Sequence, residues 1–205
     1  MFIKHWIIVL FTLLFITNNH FAQLTGIKSK GVIQWKNNAR YQGGTHTDND
    51  TLFYAHGSGK VSYSNGDYYE GQFDKGIRTG KGYLKYVSGD TYTGSFLNDK
   101  RNGYGVQQYK NGERYEGDWL NDERNGKGSY FWLNRETYTG EFLNNKRHGK
   151  GKQTFKNGQR YEGAFLNDKP HGISYLTYPS GKTYKTEWKD GKMIKSIKDK
   201  SSPSN

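Results

Sequence analysis

The chain contains no cysteine and only 3 prolines among its 205 residues. Without cysteine, disulfides, thiolate zinc sites and cysteine nucleophiles are all excluded. Hydrophobic residues are also scarce, at 32%, and half of that share is aromatic. Aromatic rings rather than aliphatic side chains must therefore supply most of the buried area. The 27 glycines provide many backbone positions that lack a Cβ.

The N-terminal segment has the layout of a secretory signal peptide. Lys4 and His5 form a short basic region, residues 7–16 are apolar, and polar residues follow. Ala22 is then the expected last residue before cleavage. A retained membrane anchor is the alternative, but this apolar stretch is much shorter than the roughly 20 residues that span a bilayer. We therefore expect a protein that is secreted, in the periplasm or in the cell envelope.

One pattern recurs with a period of 23 residues along most of the chain. Each unit has a tyrosine, a glycine and a large aromatic residue at alternate positions, followed by a Gly-x-Gly pair and a further aromatic residue. Three central units carry the predicted structural positions Tyr92, Gly94, Phe96, Gly103 and Gly105; Tyr115, Gly117, Trp119, Gly126 and Gly128; and Tyr138, Gly140 and Phe142. Self-similarity at a fixed period is the signature of a repeat array.

The alternation within each unit predicts β-strands. Tyr92, Gly94 and Phe96 must share one face of a strand, while Thr91 and Thr93 take the opposite, polar face. Asn-Gly dipeptides between units favour tight type I′ turns, and residues 97–102 are expected to form a longer turn. The predicted fold is all-β, an elongated single-layer antiparallel sheet of consecutive β-hairpins. In this sheet the ring of one strand covers a glycine of its neighbour.

The unit Tyr-x-Gly-x-Phe…Gly-x-Gly…Tyr-x-x-Gly resembles the MORN (membrane occupation and recognition nexus) repeat. Residues 138–158 match that repeat nearly position for position. The resemblance implies an extended, twisted antiparallel sheet that serves as a protein-interaction scaffold or binds phospholipid. It does not fix a function, because one fold hosts many functions.

Basic residues recur in the predicted turns. The arginines of one column, expected roughly 10 Å apart on one edge, are Arg78, Arg101, Arg124 and Arg147. Such a row is suited to phosphates or carboxylates of a membrane, a glycan or an acidic protein. The alternative is a set of solvated turn residues that keep the sheet soluble. The net charge of +12 favours anionic partners in either case.

The sequence thus predicts four segments: a signal peptide (1–22), an N-terminal lead-in (23–40), a repeat array (41–188) and a basic disordered tail (189–205). The predicted function is an extracytoplasmic structural or protein-interaction module with an unknown protein partner. The alternative is peripheral binding of anionic lipid or envelope polysaccharide through the basic turn edge. We predict no enzymatic activity, catalytic residue, cofactor or metal. A nucleic-acid partner is not expected either, because the aromatic residues are needed for packing.

Overall fold

The computed structural model describes residues 27–29, 32–34, 39–49 and 52–198. Within these residues there is one antiparallel sheet of 16 strands and no helix, and the strands are ordered as they are in the chain. The predicted signal peptide lies outside the described residues. The strands are β1 (Ile27–Ser29), β2 (Val32–Gln34), β3 (Arg40–Asn49), β4 (Leu52–Ser62), β5 (Tyr68–Asp74), β6 (Ile77–Lys85), β7 (Thr91–Leu97), β8 (Lys100–Gln108), β9 (Arg114–Leu120), β10 (Glu123–Phe131), β11 (Thr137–Leu143), β12 (Lys146–Thr154), β13 (Arg160–Leu166), β14 (Lys169–Thr177), β15 (Thr183–Lys189) and β16 (Lys192–Lys198).

The sheet is built from consecutive hairpins, which confirms the predicted fold class. In β7 the side chains of Tyr92 and Phe96 are buried, whereas Thr93 and Leu97 between and beyond them are exposed. The strand therefore has one packed face and one solvated face, as its alternating sequence requires. We call the packed face, which carries the buried tyrosines of every unit, the ring face.

Each buried tyrosine lies over a pair of glycines. A Cβ built on Gly128 would come within 2.5 Å of the Tyr115 hydroxyl oxygen and 2.6 Å of Cε2 of that ring, far closer than atoms can pack. Gly128 pairs with Gly117 on the adjacent strand, so both glycines leave bare backbone where the ring rests. The prediction that rings cover glycine holds, with the addition that Tyr115 also covers the glycine of its own strand.

The tyrosine hydroxyl also has a hydrogen-bonding role. Tyr115 donates to the carbonyl of Asp118 at 2.9 Å, and Tyr92 donates to the carbonyl of Ser95 at 3.0 Å. Ser95 lies at a β-bulge, where the register between β7 and β8 shifts. The bulge leaves this carbonyl outside the ladder, and the phenol satisfies it. Burial raises the pKa of Tyr92 and of Tyr115 well above the ordinary value, so both stay protonated donors.

Neighbouring units are joined through their rings. The Tyr115 ring makes edge-to-face contacts with Trp119 of its own unit and with Phe142 of the next, each with centroids 5.2 Å apart. Equivalent contacts link Tyr92 to Trp119 at 5.5 Å and Tyr138 to Phe165 at 5.0 Å. This geometry is the favoured one for aromatic pairs. Each unit therefore depends on its neighbours for its core, as expected of a repeat array.

The two kinds of turn differ from the prediction. At Asn65-Gly66 only Gly66 has a positive φ, of 93°, and its N–H bonds to the carbonyl of Tyr63 at 3.0 Å. This is a longer loop that ends in a left-handed glycine, not a two-residue type I′ turn. The positive φ pairs that a type I′ turn requires occur in the other loop, at Asn98 (50°) and Asp99 (64°), between Leu97 and Lys100. The predicted longer turn over residues 97–102 is therefore wrong.

Both ends of the array extend beyond the predicted limits. Strands β1 and β2 lie within the predicted lead-in, and β16 pairs with β15 through residues of the predicted disordered tail. The tail prediction is therefore wrong for residues 192–198. The high lysine content predicts disorder there. The backbone N–H and C=O groups on the edge of β15 instead pair with one more strand. Residues 199–205 lie outside the described part of the chain.

The last units of the array replace two of the repeat glycines with residues that carry hydroxyl groups. Thr186 and Ser174 stand where earlier units have glycines, both are buried, and their hydroxyls are 2.7 Å apart. Trp188 donates its indole N–H to the Thr186 hydroxyl at 2.8 Å. Hydroxyl-bearing side chains thus stand where earlier units present bare backbone. Terminal units of repeat arrays commonly differ in this manner because they close the stack.

Candidate partner-binding face

The arginine column lies on the ring face and connects successive units. The backbone N–H and Nε of Arg78 both donate to Oδ1 of Asp99, at 2.9 and 3.1 Å, and Nη2 donates to the Asp99 carbonyl at 2.7 Å. In return the Asp99 N–H donates to the carbonyl of Arg78 at 3.1 Å. We call this set of four hydrogen bonds the arginine clamp. It joins Arg78 to an Asp of the next unit, 21 residues along the chain.

The same clamp recurs at Arg101 with Asp122 and at Arg147 with Asp168. The Arg101 guanidinium also lies over the Trp119 ring, with Cζ 4.0 Å from the centroid. Its side chain is only 19% exposed. Charge-assisted hydrogen bonds and stacking on rings are the interactions for which arginine is best suited.

This geometry corrects the predicted row of solvent-facing arginines on the turn edge. Arg78, Arg101 and Arg147 are mostly covered and each is paired with a carboxylate. Neither sequence-based interpretation, a free anion-binding edge or a solvated turn, describes these three residues. They hold units together. Arg124 differs, because its partner across the turn is Asn145.

A groove lies on the ring face between the aromatic residues that close each unit. Tyr86 and Tyr109, one unit apart, are half-buried against the core. They line a cavity of about 350 Å³ together with Trp119, Arg101 and Arg124. The remaining lining residues are Ser88, Asp90, Gln107 and Asn145. The groove thus combines flat rings, polar groups, two arginines and one carboxylate, that of Asp90, which accepts the backbone N–H of Lys110 at 2.8 Å.

Two tyrosine hydroxyls of the groove are open to a ligand. In the part of the chain that the structure describes, the hydroxyls of Tyr86 and Tyr109 have no hydrogen-bond partner. Gln107, which is almost fully buried, accepts a hydrogen bond from Nη1 of Arg101 at 3.0 Å. The recurring aromatic residue after each Gly-x-Gly pair predicts a packed position for both tyrosines. Their 23-residue spacing alone does not show that the rings remain half-exposed.

A second surface, which the sequence analysis missed, lies on the opposite face of the sheet. Leucines beside the two-residue turns are exposed, from 40% for Leu166 to 51% for Leu97. They form a column with the repeat spacing, which was visible in the sequence as Leu97, Leu120, Leu143 and Leu166. Exposed single leucines are common on protein surfaces, and nothing in the structure shows what would cover this column.

Histidines directly before the Gly-x-Gly positions of three units share one column: His56, His148 and His171. This column does not form a metal site among the described residues, where no three metal-ligating side chains come together. Nδ1 atoms of His148 and His171 are buried and have no hydrogen-bond partner. These residues lie on β12 and β14, two strands apart, a separation of roughly 10 Å. A single ion at about 2 Å from each nitrogen cannot bridge that distance.

The repeat matches a known protein family. The model of the MORN repeat matches residues 54–68, 69–91, 92–114, 115–135, 138–160 and 161–183. These matches cover more than half of the chain. The chain belongs to the MORN repeat family. The match confirms the resemblance seen in the sequence, and the MORN repeat is a protein- and membrane-interaction module rather than an enzyme family.

Solved structures with a partly similar fold have low sequence identity to this chain. The TCP domain of SAS-4 (dCPAP) from Drosophila melanogaster, in complex with a proline-rich motif of Ana2 (dSTIL), is 13% identical with a TM-score of 0.48, over 87% of this chain and 99% of that one. The TCP10 domain of CPAP from Danio rerio, in complex with a STIL peptide, is 14% identical with a TM-score of 0.36, over 82% of this chain and 93% of that one. Neither likeness is close enough to bear on what this MORN array binds. No curated protein matches the chain in sequence.

Within the part of the chain that the structure describes, no helix has the length and apolar character needed to cross a membrane.

Proposed function

We infer that this MORN array is a non-enzymatic, extracytoplasmic module that binds a protein partner on its ring face. The observation that carries this proposal is the groove between Tyr86 and Tyr109, where half-buried rings lie beside polar groups that have no partner. Tyrosine, tryptophan and arginine are the residues that contribute most to protein–protein binding energy. A rigid sheet presents them without any loop to order, which lowers the entropic cost of binding.

The alternative, peripheral binding to anionic lipid through a row of arginines, has weaker support. Three of the four arginines use their donors within the chain. A lipid surface offers many phosphates, and its attraction to a protein grows with the number of free basic residues near it. Because three of its four arginines are paired within the chain, the arginine column supplies only one free basic residue.

The extracytoplasmic location is supported by the sequence of residues 1–22 alone. A basic start, a short apolar stretch and a plausible cleavage site are the three parts of a signal peptide. The absence of cysteine is compatible with export, because a chain without thiols cannot form wrong disulfides in an oxidising compartment.

Site-specific photocrosslinking in intact cells tests both parts of the proposal. A benzophenone amino acid placed at Tyr109 is expected to yield one discrete protein adduct, because this side chain lines the groove. The matched control places it at Tyr104 in β8, the strand that Tyr109 directly follows. Tyr104 is 55% exposed on the opposite face, and this control is expected to yield no adduct. The adduct should fractionate outside the cytoplasm, on a chain that begins at Gln23.

Adducts from Tyr104 but not from Tyr109 would show that the ring face is not the binding surface. Adducts with lipid alone would favour the alternative function. A cytoplasmic product that keeps residues 1–22 would overturn the proposed location.

A further inference from the structure

One unit departs from the arginine clamp. Asn145 stands where the other units have Asp99, Asp122 or Asp168. Its side-chain oxygen accepts the backbone N–H of Arg124 at 2.9 Å, and its carbonyl accepts Nη2 at 2.7 Å. Unlike the aspartates, it takes no hydrogen bond from Nε. In the described part of the chain, no carboxylate lies within ion-pair distance of Arg124.

A second acceptor is missing from the same unit. Nη1 of Arg101 and of Arg147 donates to a buried glutamine, Gln107 or Gln153. The corresponding position beside Arg124 is occupied by Tyr130, whose hydroxyl donates to Glu113 at 2.7 Å instead. Nε and Nη1 of Arg124 therefore have no acceptor among the described residues. The guanidinium keeps its charge and its unused donors.

Arg124 is also held in place and points into the groove. Its Cζ lies 5.2 Å from the ring centroid of Tyr130, 5.7 Å from that of Tyr115 and 5.5 Å from that of Phe142. Together with Asn145 it lines the cavity that contains Tyr86 and Tyr109. The one arginine of the column that has no carboxylate partner among the described residues is thus placed beside the rings proposed to bind a partner.

We propose that the groove binds an acidic peptide segment of the partner, with an Asp or Glu carboxylate of that segment paired to Arg124. This proposal rests on the proposed function and names the partner's chemistry. A carboxylate supplies both the charge and the acceptors that Arg124 lacks, with a planar geometry that matches the guanidinium. The free hydroxyls of Tyr86 and Tyr109 are suited to carbonyl oxygens of the same peptide.

The surroundings favour a peptide over a phosphate surface or an acidic polysaccharide. The other three arginines of the column are each paired with an aspartate of this chain, so the column offers one unpaired guanidinium, that of Arg124, rather than a row. A polyanion with regularly spaced charges would leave most of its charges unpaired there. A single acidic side chain flanked by apolar residues matches one arginine among aromatic rings.

Selection from a random linear peptide library, with the full chain immobilised, tests the proposal. Peptides retained by the unmodified protein are expected to be enriched in Asp or Glu at one position relative to the input library. Replacing that acid with Gln or Asn in a retained peptide should weaken its binding about tenfold, the usual effect of losing a charge-assisted hydrogen bond.

The decisive variant is Asn145→Asp, which supplies the missing carboxylate from within the chain. It should complete the arginine clamp seen in three other units, leave the melting temperature unchanged or higher, and weaken binding of the acidic peptide about tenfold. The acidic peptide and its amide counterpart should then bind this variant equally. Asn144→Asp is the matched control: it adds the same charge at the neighbouring, exposed turn position and should leave the affinity nearly unchanged.

The outcomes separate this proposal from the proposed function. Peptides whose binding is lost on Tyr109→Ala but that show no acidic preference would overturn the Arg124 assignment and leave the ring face as the binding surface. Retention of full affinity by Asn145→Asp would also overturn it, as would competition by polygalacturonate or phosphatidylglycerol vesicles that outweighs competition by the peptide. Failure to select any peptide that depends on the ring face would count against both.

Discussion

Replacing Gly117 with valine is expected to unfold the centre of the sheet. A Cβ at this position would lie 2.5 Å from the carbonyl oxygen of Lys127 and 2.7 Å from the Tyr115 hydroxyl. The first of these atoms belongs to the backbone of β10, so a side-chain rotation cannot relieve the overlap and β9 and β10 must separate. The expected loss is at least about 3 kcal/mol, the upper end of the usual range for overpacking. Thermal and urea unfolding followed by circular dichroism measure it.

Two further variants test whether the effect arises from the Cβ at residue 117. Gly117→Ala should also destabilise, although alanine normally stabilises a chain relative to glycine where the backbone allows it, because the Cβ alone already overlaps. Lys127→Val changes an exposed residue of β10 and should alter the free energy of unfolding by no more than about 0.5 kcal/mol. A Gly117→Val protein as stable as the parent would contradict the packing of rings on glycine.

Replacing Tyr115 with alanine is expected to have an effect of similar size. The ring is fully buried and contacts Trp119 in its own unit and Phe142 in the next. Removal of a large buried aromatic side chain costs about 3–5 kcal/mol. Because units support one another in a repeat array, loss of this ring should also uncouple the two halves. Differential scanning calorimetry should show the single transition broaden or split.

Conservative and remote variants show which part of Tyr115 matters. Tyr115→Phe keeps the ring and loses only the hydrogen bond to the Asp118 carbonyl, at an expected cost of about 1 kcal/mol. Tyr104→Ala removes an exposed tyrosine from the opposite face and should change stability by no more than about 0.5 kcal/mol. Equal effects of Tyr115→Ala and Tyr104→Ala would be incompatible with a core made of the ring face.

The sheet itself was predictable from two periods in the sequence. The alternation of Tyr92, Gly94 and Phe96 assigns a strand and its buried face, and the 23-residue repeat places an equivalent strand in every unit. The MORN match and the observed strand order confirm this fold. Local side-chain pattern was sufficient because each strand pairs only with its neighbours in the chain.

The role of the arginines was not predictable in the same way. In the sequence Asp99 lies two residues from Arg101, which suggests local compensation of charge. In the structure Arg101 pairs with Asp122 of the next unit, and Asp99 pairs with Arg78 of the preceding one. Which of two nearby carboxylates faces a guanidinium depends on the bulge and on the turn, which the spacing does not reveal.

The sequence predicts the wrong loops for the two-residue turns for a related reason. Asn-Gly is the strongest local signal for a type I′ turn, but in this chain Gly66 and its equivalents end a longer loop. The two-residue turns use Asn98-Asp99 instead. The Asp has a second function there, because its carboxylate belongs to the arginine clamp. The need for a carboxylate that pairs with the arginine of the neighbouring unit therefore determines the residue type in the turn.

Regularity of the array also makes its exceptions informative. Three units satisfy their arginines with aspartate, and the fourth has Asn145. Because the clamp is a stabilising arrangement available to every unit, its omission beside a cavity points to a site where the charge has another use. In the sequence, Asn145 is only a minor irregularity of the repeat. The structure places it beside the groove with Arg124, and this position suggests a binding role for the unpaired guanidinium.

The most direct test of the structure is a nuclear Overhauser measurement on the isotope-labelled protein. The tyrosine ring lies over Gly117 and Gly128, so strong cross-peaks are expected between the Tyr115 ring protons and the α-protons of these two glycines, on adjacent strands. Cross-peaks from the Tyr115 ring to water alone, or to residues of a separate layer, would contradict a single sheet whose core consists of rings resting on bare backbone.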